Sequence, residues 1–372
     1  MNDEFRQMVI DALKRGEELP RDWARELFPP EKREYELVYY GKDREEDILA
    51  DTMAVPLQPA STFGKNGDAN TWHNMLIFGD NLQVLKSLLK MKERGELMNA
   101  DGTPGVRLIY IDPPFATKQE FRGTQDQKAY QDRIAGAEFL EFLRKRLVML
   151  RELLSDDGAL FVHLDWKKGH YTKILLDELL GEQNLRNEII WKRTDSHKAT
   201  QKLSAIHDTV FFYAKSDGHQ PNQLFTEYSD SRLTKAYRHV DAVSGKRYRL
   251  DDLMAPGATA SDYAWKGLKP RPGRHWAYTK EKMGQLEKEG RIIYNAAGVP
   301  KLKAYLEDAE GVPLSTIWTD IPMLKGGIED ASYPTQKPEK LAERIISLSS
   351  NPGDLVLDAF AEIGRASCRE RV

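Results

Sequence analysis

Cysteine is almost absent from this chain: one residue, Cys368, in 372. That excludes a disulfide framework and a cysteine-ligated zinc site, and it fits a reducing cytoplasm. No apolar run approaches the ~18 residues that a membrane span needs. The opening stretch "MNDEFRQMVIDALKRGEELP" is acidic and amphipathic, unlike a secretory signal. Charge of one sign is also scarce. The formal net charge is −3, so the molecule as a whole is no basic nucleic-acid binder, and any such surface must be local. There is no GxGxxG and no phosphate-binding P-loop, so nucleotide hydrolysis has no support. His163, His197 and His207 fall at no metal-ligand spacing and read as structural or surface residues, so no metal is expected. No segment repeats.

What is present is a soluble-type composition, 40% hydrophobic and 30% charged, over a length that suits a large α/β domain with an insertion, or two domains. Residues 1–70 are charged, punctuated by proline and weakly periodic, a helical or irregular leader. From residue 74 strands and helices alternate. "NMLIF" is a short apolar run. "NLQVLKSLL" puts Leu82, Leu85, Leu88 and Leu89 on one helical face. "VRLIYI" is the next strand. "EFLEFLRKRLVMLRELL" is a long amphipathic helix stopped by "DDG". "ALFVHL" and "HYTKILLDELLG" are the third strand and the third helix, the latter closed by glycine. "NEIIWKR" and "DTVFFYAK" read as a terminal antiparallel pair. Continuous apolar strands separated by helices predict a mostly parallel sheet buried on both faces. Residues 218–312 break the pattern with polar, Pro- and Gly-rich sequence. "PEKLAERIISLSS" and "DLVLDAF" resume it in residues 313–361, so the sheet domain, begun in residues 71–217, encloses an inserted module.

The strand "LIYI" runs straight into Asp112-Pro113-Pro114-Phe115. Proline lacks an N–H and disfavours a helical residue before it, which holds Asp112 extended at the carboxyl end of its strand. The result is a stiff loop that shows a carboxylate and the Pro113 carbonyl side by side, at the sheet edge where open α/β folds bind ligands. Two adjacent acceptors match the two donors of an exocyclic NH₂. A fixed carboxylate stabilises the positive charge that develops as such a nitrogen takes a methyl group. Phe115 can stack on the base that carries the amine, offsetting the few kcal/mol needed to extrude it from a duplex. A rigid turn with a satisfied aspartate explains the same four letters.

Three motifs in order narrow this choice. "LIYIDPPF" resembles the D-P-P-[YFW] catalytic motif of amino-methylating DNA methyltransferases. "NMLIFGDNLQVLKSLL" resembles the strand and Gly-Asp element that precedes it in that family. "YPTQKPEKLAERIISLSSNPGDLVLDAF" resembles the paired PTQKP helix and cofactor-binding strand. The catalytic motif comes before the cofactor motif, the permuted β-type order, which includes the modification subunits of type III restriction systems. The resemblance spans residues 35–361. It implies a Rossmann-like, circularly permuted methyltransferase sheet with an inserted target-recognition module. It further implies S-adenosylmethionine as cofactor, double-stranded DNA as substrate and a restriction subunit as partner, and it leaves the oligomeric state open, with a homodimer among the options. The expected reaction is methylation of adenine N6, with cytosine N4 as the alternative, since one pocket chemistry serves both amines. A catalytically inactive DNA-binding fragment and a methyltransferase of protein glutamine amides are readings of other classes. The latter typically carries Asn in place of Asp112 and no large basic insert.

The resemblance also assigns residues. Asp80 with Asn81 would accept from the cofactor's adenine amine, although Asp80 serves equally as a helix cap. Thr335 and Lys337, at the N-terminus of the helix begun by Pro338, would offer N–H groups and positive charge to the methionine carboxylate. Asp358 ends the last strand beside the cofactor, and Phe360 would pack on its sulfonium edge or in the core. In the insert, residues 265–282 interleave Lys266, Lys269, Arg271 and Arg274 with Trp265, Trp276 and Tyr278, where cations meet phosphates and aromatics stack or wedge. The family's cofactor loop reads D-x-F-x-G-x-G. Here Glu362 stands at the first glycine and Gly364 at the second. Fourteen residues follow Asp358, too few for a helix of about 11 and a strand of about 5. The expectation is a truncated product with an unrelated tail at 362–372, poor cofactor binding, and a strand ending in "LIFGD" that lacks its neighbour.

Overall fold

The computed structural model describes residues 3–16, 23, 35–63, 73–114, 120–122, 128–131, 136–195, 203–257, 263–324 and 336–361. The chain divides into two units, residues 1–222 with 315–372, and residues 223–314.

The first unit is built on a six-stranded mixed sheet. Its strands are β1 (Val106–Ile111), β2 (Leu154–Leu164), β3 (Leu185–Lys192), β4 (His207–Ala214), β5 (Ile317–Trp318) and β6 (Val356–Asp358), in the spatial order β5-β3-β4-β2-β1-β6. β1 runs parallel to β2 and to β6, while β4 is antiparallel to both β2 and β3. Three helices cover one face: α1 (Asn81–Glu93), α2 (Ala137–Leu153) and α3 (Gly169–Leu180). Their stripes, including Leu85, Leu88, Leu143, Leu147, Leu150, Leu175 and Leu176, bury against Ile109, Ile111, Leu160 and Val162. At roughly 1.5–3 kcal/mol per large apolar side chain, this layer is the main apolar term holding the sheet. The alternate residues face the other way, where Phe161 and Phe212 stack and α4 (Glu339–Ser349) packs on β1 and β2 through Leu341 and Ile345. The fold is thus an α/β sheet with helices on both faces, as expected, although two of its pairings, β2–β4 and β3–β4, are antiparallel. Its late strand β6, next to early strand β1, gives the permuted order.

Three local expectations change. The antiparallel pair β3–β4 is not terminal, because β5 pairs in parallel with β3 beyond it. "NMLIF" is not a strand: residues 73–78 have no regular structure, and Leu76 and Phe78 are exposed. A strand exists only by ladder hydrogen bonds, and among the described residues no strand pairs with this segment. Nor does "DDG" stop the second helix. α2 ends at Leu153 and the chain enters β2 at once, with the register slipping between Val106/Leu154 and Leu108/Ala159. Gly158 sits in that irregularity because a Cβ there would lie 2.8 Å from the Val106 carbonyl oxygen.

A buried histidine gives this unit a built-in acid weakness. His219 is 5% exposed, with Nδ1 2.9 Å from the Asp157 carbonyl oxygen, and burial pushes it down to about 4. Because its folded value lies below the ordinary one, the unfolded chain takes up the proton first as pH falls. The stability it contributes is therefore whole above about pH 6.5 and lost toward pH 4. A His219→Gln chain should show a flatter fall in thermal midpoint over that range, with ~2–3 kcal/mol of the pH-dependent loss removed by pH 4. Parallel curves for both proteins in melts from pH 7 to 4 would refute this.

The second unit carries a four-stranded antiparallel sheet in the order Ile292–Tyr294, Pro300–Tyr305, Arg247–Asp252, His239–Val240. A hairpin of Met254–Pro256 with Arg274–Trp276 and a helix Lys280–Lys288 enclose a core of Leu253, Met254, Trp265, Trp276, Met283, Leu286, Ile292 and Leu302.

Candidate active site

Asp112 follows β1 directly, and only 4% of it is exposed; Pro113 is buried and Pro114 half-buried. Its Oδ2 accepts from Lys337 Nζ at 2.6 Å, and the two side chains are 2% and 10% exposed. Lys337 sits immediately before Pro338, the N-cap of α4, so the packing of α4 on β1 brings residues 225 apart in sequence together. Tyr110, two residues before Asp112 on the same strand face, bonds through its hydroxyl to His163 Nδ1 at 2.8 Å. His163, fully buried on β2, reaches Asp208 Oδ2 at 3.4 Å with its other nitrogen. His163, expected as a structural or surface residue, lies in the interior and braces the strand that presents Asp112. Beyond β2, Asp165 accepts from the N–H groups of Lys167 and Lys168, and burial raises its carboxyl above the usual range.

The neighbouring strand β6 is level with this edge: Tyr110 pairs with Asp358. Asp358 Oδ1 accepts from the Phe360 N–H at 2.9 Å, turning the chain at the strand end, and Phe360 meets Phe142 edge-on at 6.3 Å. Asp80 caps α1, accepting from Leu82 and Gln83, with more than half of its side chain exposed. Asn81 donates from Nδ2 to the Ala359 carbonyl at 2.8 Å, so Asp80 and Asn81 stand beside the end of β6. Arg146 on α2 is a member of this group that the motifs do not reveal. It is 6% exposed, donates to Asn81 Oδ1 and the Phe142 carbonyl, lies 3.6 Å from Asp80 Oδ2 and stacks 3.6 Å from the Phe142 ring centroid. The signal was in the sequence: an arginine three residues from Leu143 and one from Leu147, inside the apolar stripe.

This donor set fits S-adenosylmethionine chemically. Asp80 and Asp358 are acceptors for amine and hydroxyl groups, Arg146 and Lys337 are cations for a carboxylate, and Phe360 and Phe142 offer ring surface. Phe115, Thr335, Glu362 and Gly364 lie outside the described residues. Among the described residues no cluster of His, Cys, Asp and Glu could hold a metal ion, and no helix is long and apolar enough to cross a membrane.

Residues 106–365 match the DNA methylase family. The chain belongs to that family. It is 32% identical to the type II methyltransferase M.EcaI of Enterobacter cloacae, over 90% of this chain and 72% of that protein. It is 25% identical to the StyLTI Mod subunit of a type III restriction-modification enzyme of Salmonella typhimurium, over 89% of this chain and 54% of that one. A DNA adenine methyltransferase of Escherichia coli, YhdJ, is 52% identical over 69% of this chain and 65% of its own length. The chain therefore spans little more than half of the type III subunit.

In the second unit the interleaved pattern separates. Trp276 is 1% exposed and donates from Nε1 to the Tyr263 carbonyl, and Trp265 is buried with it. Both aromatics belong to the unit's own core. Lys266 pairs with Glu287 at 2.6 Å. Lys269, Arg271 and Arg274 are exposed around the turn that leads into the hairpin, Arg274 donating to the Met254 carbonyl at 3.0 Å.

Proposed function

We propose that this chain transfers a methyl group from S-adenosylmethionine to adenine N6 in double-stranded DNA, as the modification component of a restriction system. The observation that carries the reading is the buried carboxylate of Asp112, held at the carboxyl end of β1 one strand away from Asp358. Adjacent strands lie ~4.8 Å apart, so an amine on Asp112 and a donor at the end of β6 fall within transfer distance. Asp112 and the Pro113 carbonyl accept the two amine protons. Phe115 stacks on the extruded base. The carboxylate, already fixed and largely dry, stabilises the charge that grows on nitrogen without reorganising. The cofactor, when bound, supplies an electrophilic methyl on sulfur. Asp80, Asn81, Asp358 and Phe360 are proposed to hold it, with Thr335, Lys337 and Gly364 beside them. A restriction subunit as partner goes with the names of the type III relatives; a homodimer and a cytoplasmic setting are further parts of this proposal.

The test is direct: incubate the chain with radiolabelled cofactor and duplex DNA of mixed sequence, digest, and separate the nucleosides. N6-methyladenine supports the reading. N4-methylcytosine gives the alternative, and absence of label from a folded chain that binds S-adenosylhomocysteine overturns both. YhdJ, a DNA adenine methyltransferase by name, favours the first.

Lys269, Arg271 and Arg274 are the proposed phosphate contacts. Trp276, buried in the core of the unit, is not among them. Neutralising Arg271 and Arg274 together should weaken DNA binding across all sequences. It should also reduce the slope of log affinity against log salt by roughly 0.9 for each phosphate that is no longer neutralised. An unchanged slope in a salt titration would place both residues away from DNA.

A further inference from the structure

Lys337 stands between two demands. The family resemblance gives it to the cofactor's carboxylate, yet its ammonium lies on Asp112 at 2.6 Å, in an ion pair with side chains 10% and 2% exposed. This pair works against the reacting amine. The nitrogen must approach the same carboxylate and become positive. Two unit charges 4–5 Å apart at an effective dielectric of 20 repel enough to slow the step on the order of 10²-fold. A lysine left in place would cancel much of what Asp112 provides. Asp358 is in register with Tyr110, so the end of β6 lies one strand spacing, ~4.8 Å, to the side of the Asp112 strand. A flexible four-carbon stem anchored just before Pro338 can serve either place. S-adenosylmethionine carries one anionic group, its carboxylate.

Resting on the proposed cofactor site, we infer that Lys337 is a positioning residue that exchanges carboxylates: it occupies Asp112 when the site is empty, moves to the cofactor carboxylate on binding, and so frees Asp112 for the amine. The two carboxylates compete for one lysine. Cofactor binding therefore works against the Asp112 pair, and by linkage a bound cofactor favours amine binding to the same degree. Cofactor and base therefore each strengthen the binding of the other.

The experiment is a double-mutant cycle read by calorimetric titration of S-adenosylhomocysteine, which keeps the carboxylate and cannot react, into the full-length chain. Asp112→Asn keeps the shape and removes the competing charge, and it should bind about 5- to 20-fold more tightly than wild type. Lys337→Met should bind at least 5-fold more weakly, with Lys337→Arg recovering part of the loss. In the Lys337→Met background Asp112→Asn should change nothing. Unchanged or weaker binding by Asp112→Asn, or effects that simply add, would overturn the exchange while leaving the cofactor site intact. No binding by either wild type or Asp112→Asn, with melts showing both folded, would remove the cofactor assignment and the exchange with it. Should Lys337→Met fail to fold, the comparison of wild type with Asp112→Asn decides alone.

Discussion

Asp112→Ala should abolish methyl transfer and leave DNA affinity nearly unchanged. The carboxylate, 4% exposed and held by Lys337, is fixed and dry enough to act on a charge that exists only in the transition state. Removing a group of this kind typically costs ~10²–10³ in rate. Its backbone is extended between β1 and two prolines, so the loop keeps its course without the side chain. The substitution does leave Lys337 without its buried partner, a change that costs ~3–5 kcal/mol where no relaxation is available. Asp112→Asn is therefore the companion variant, with the shape kept and the charge gone. Both should fail in single-turnover methylation at saturating cofactor, while DNA retention on a filter stays within about twofold. A rate above about a tenth of wild type in either variant would mean that the carboxylate is a strand-end cap rather than the amine acceptor.

How far the sequence reached depends on whether a feature is local. Asp112 was legible because its chemistry, strand end and proline lock are consecutive. The strands β1, β2 and β4 were legible because burial on both faces leaves nearly unbroken apolar runs, β3 from its shorter Ile189-Ile190-Trp191 run, and the antiparallel β3–β4 pair because the sequence between them has no helical pattern. "NMLIF" misled for the same reason: it has the composition of a buried strand, but a strand also needs a partner, which composition cannot supply. The Lys337–Asp112 pair was not legible, since it depends on α4 packing on β1 across 225 residues. Nor was the fate of the tryptophans. Basic–aromatic interleaving reads alike whether an aromatic faces DNA or a core, and the 1% exposure of Trp276 comes from a small unit that needs its large side chains inside.

Arg146 is where a residue outside the motifs should matter most for the cofactor. It is a buried cation on α2 that reaches two other elements. Its guanidinium holds Asn81 by the amide oxygen, and Asn81 in turn holds the Ala359 carbonyl at the end of β6. It also faces Asp80 at 3.6 Å and lies over the Phe142 ring, 3.6 Å from its centroid, and that ring meets Phe360. Loss of this one side chain releases Asp80, Asn81 and the turn after Asp358 together. Hydrogen bonds to charged groups contribute ~1.5–3 kcal/mol each, so a net loss of about 2 kcal/mol at the cofactor corresponds to ~30-fold weaker binding. Arg146→Met keeps most of the volume and should show that drop in titration with S-adenosylhomocysteine, with a modest fall in thermal midpoint. Arg146→Lys should recover little, because an ammonium cannot hold Asn81 and the Phe142 carbonyl at once with the geometry of a fork. The salt dependence of DNA binding proposed for Arg271 and Arg274 should not change, since those residues belong to the other unit. An Arg146→Met chain that binds the cofactor product as wild type does would show that Asp80 and Asn81 are held by the cap of α1 alone.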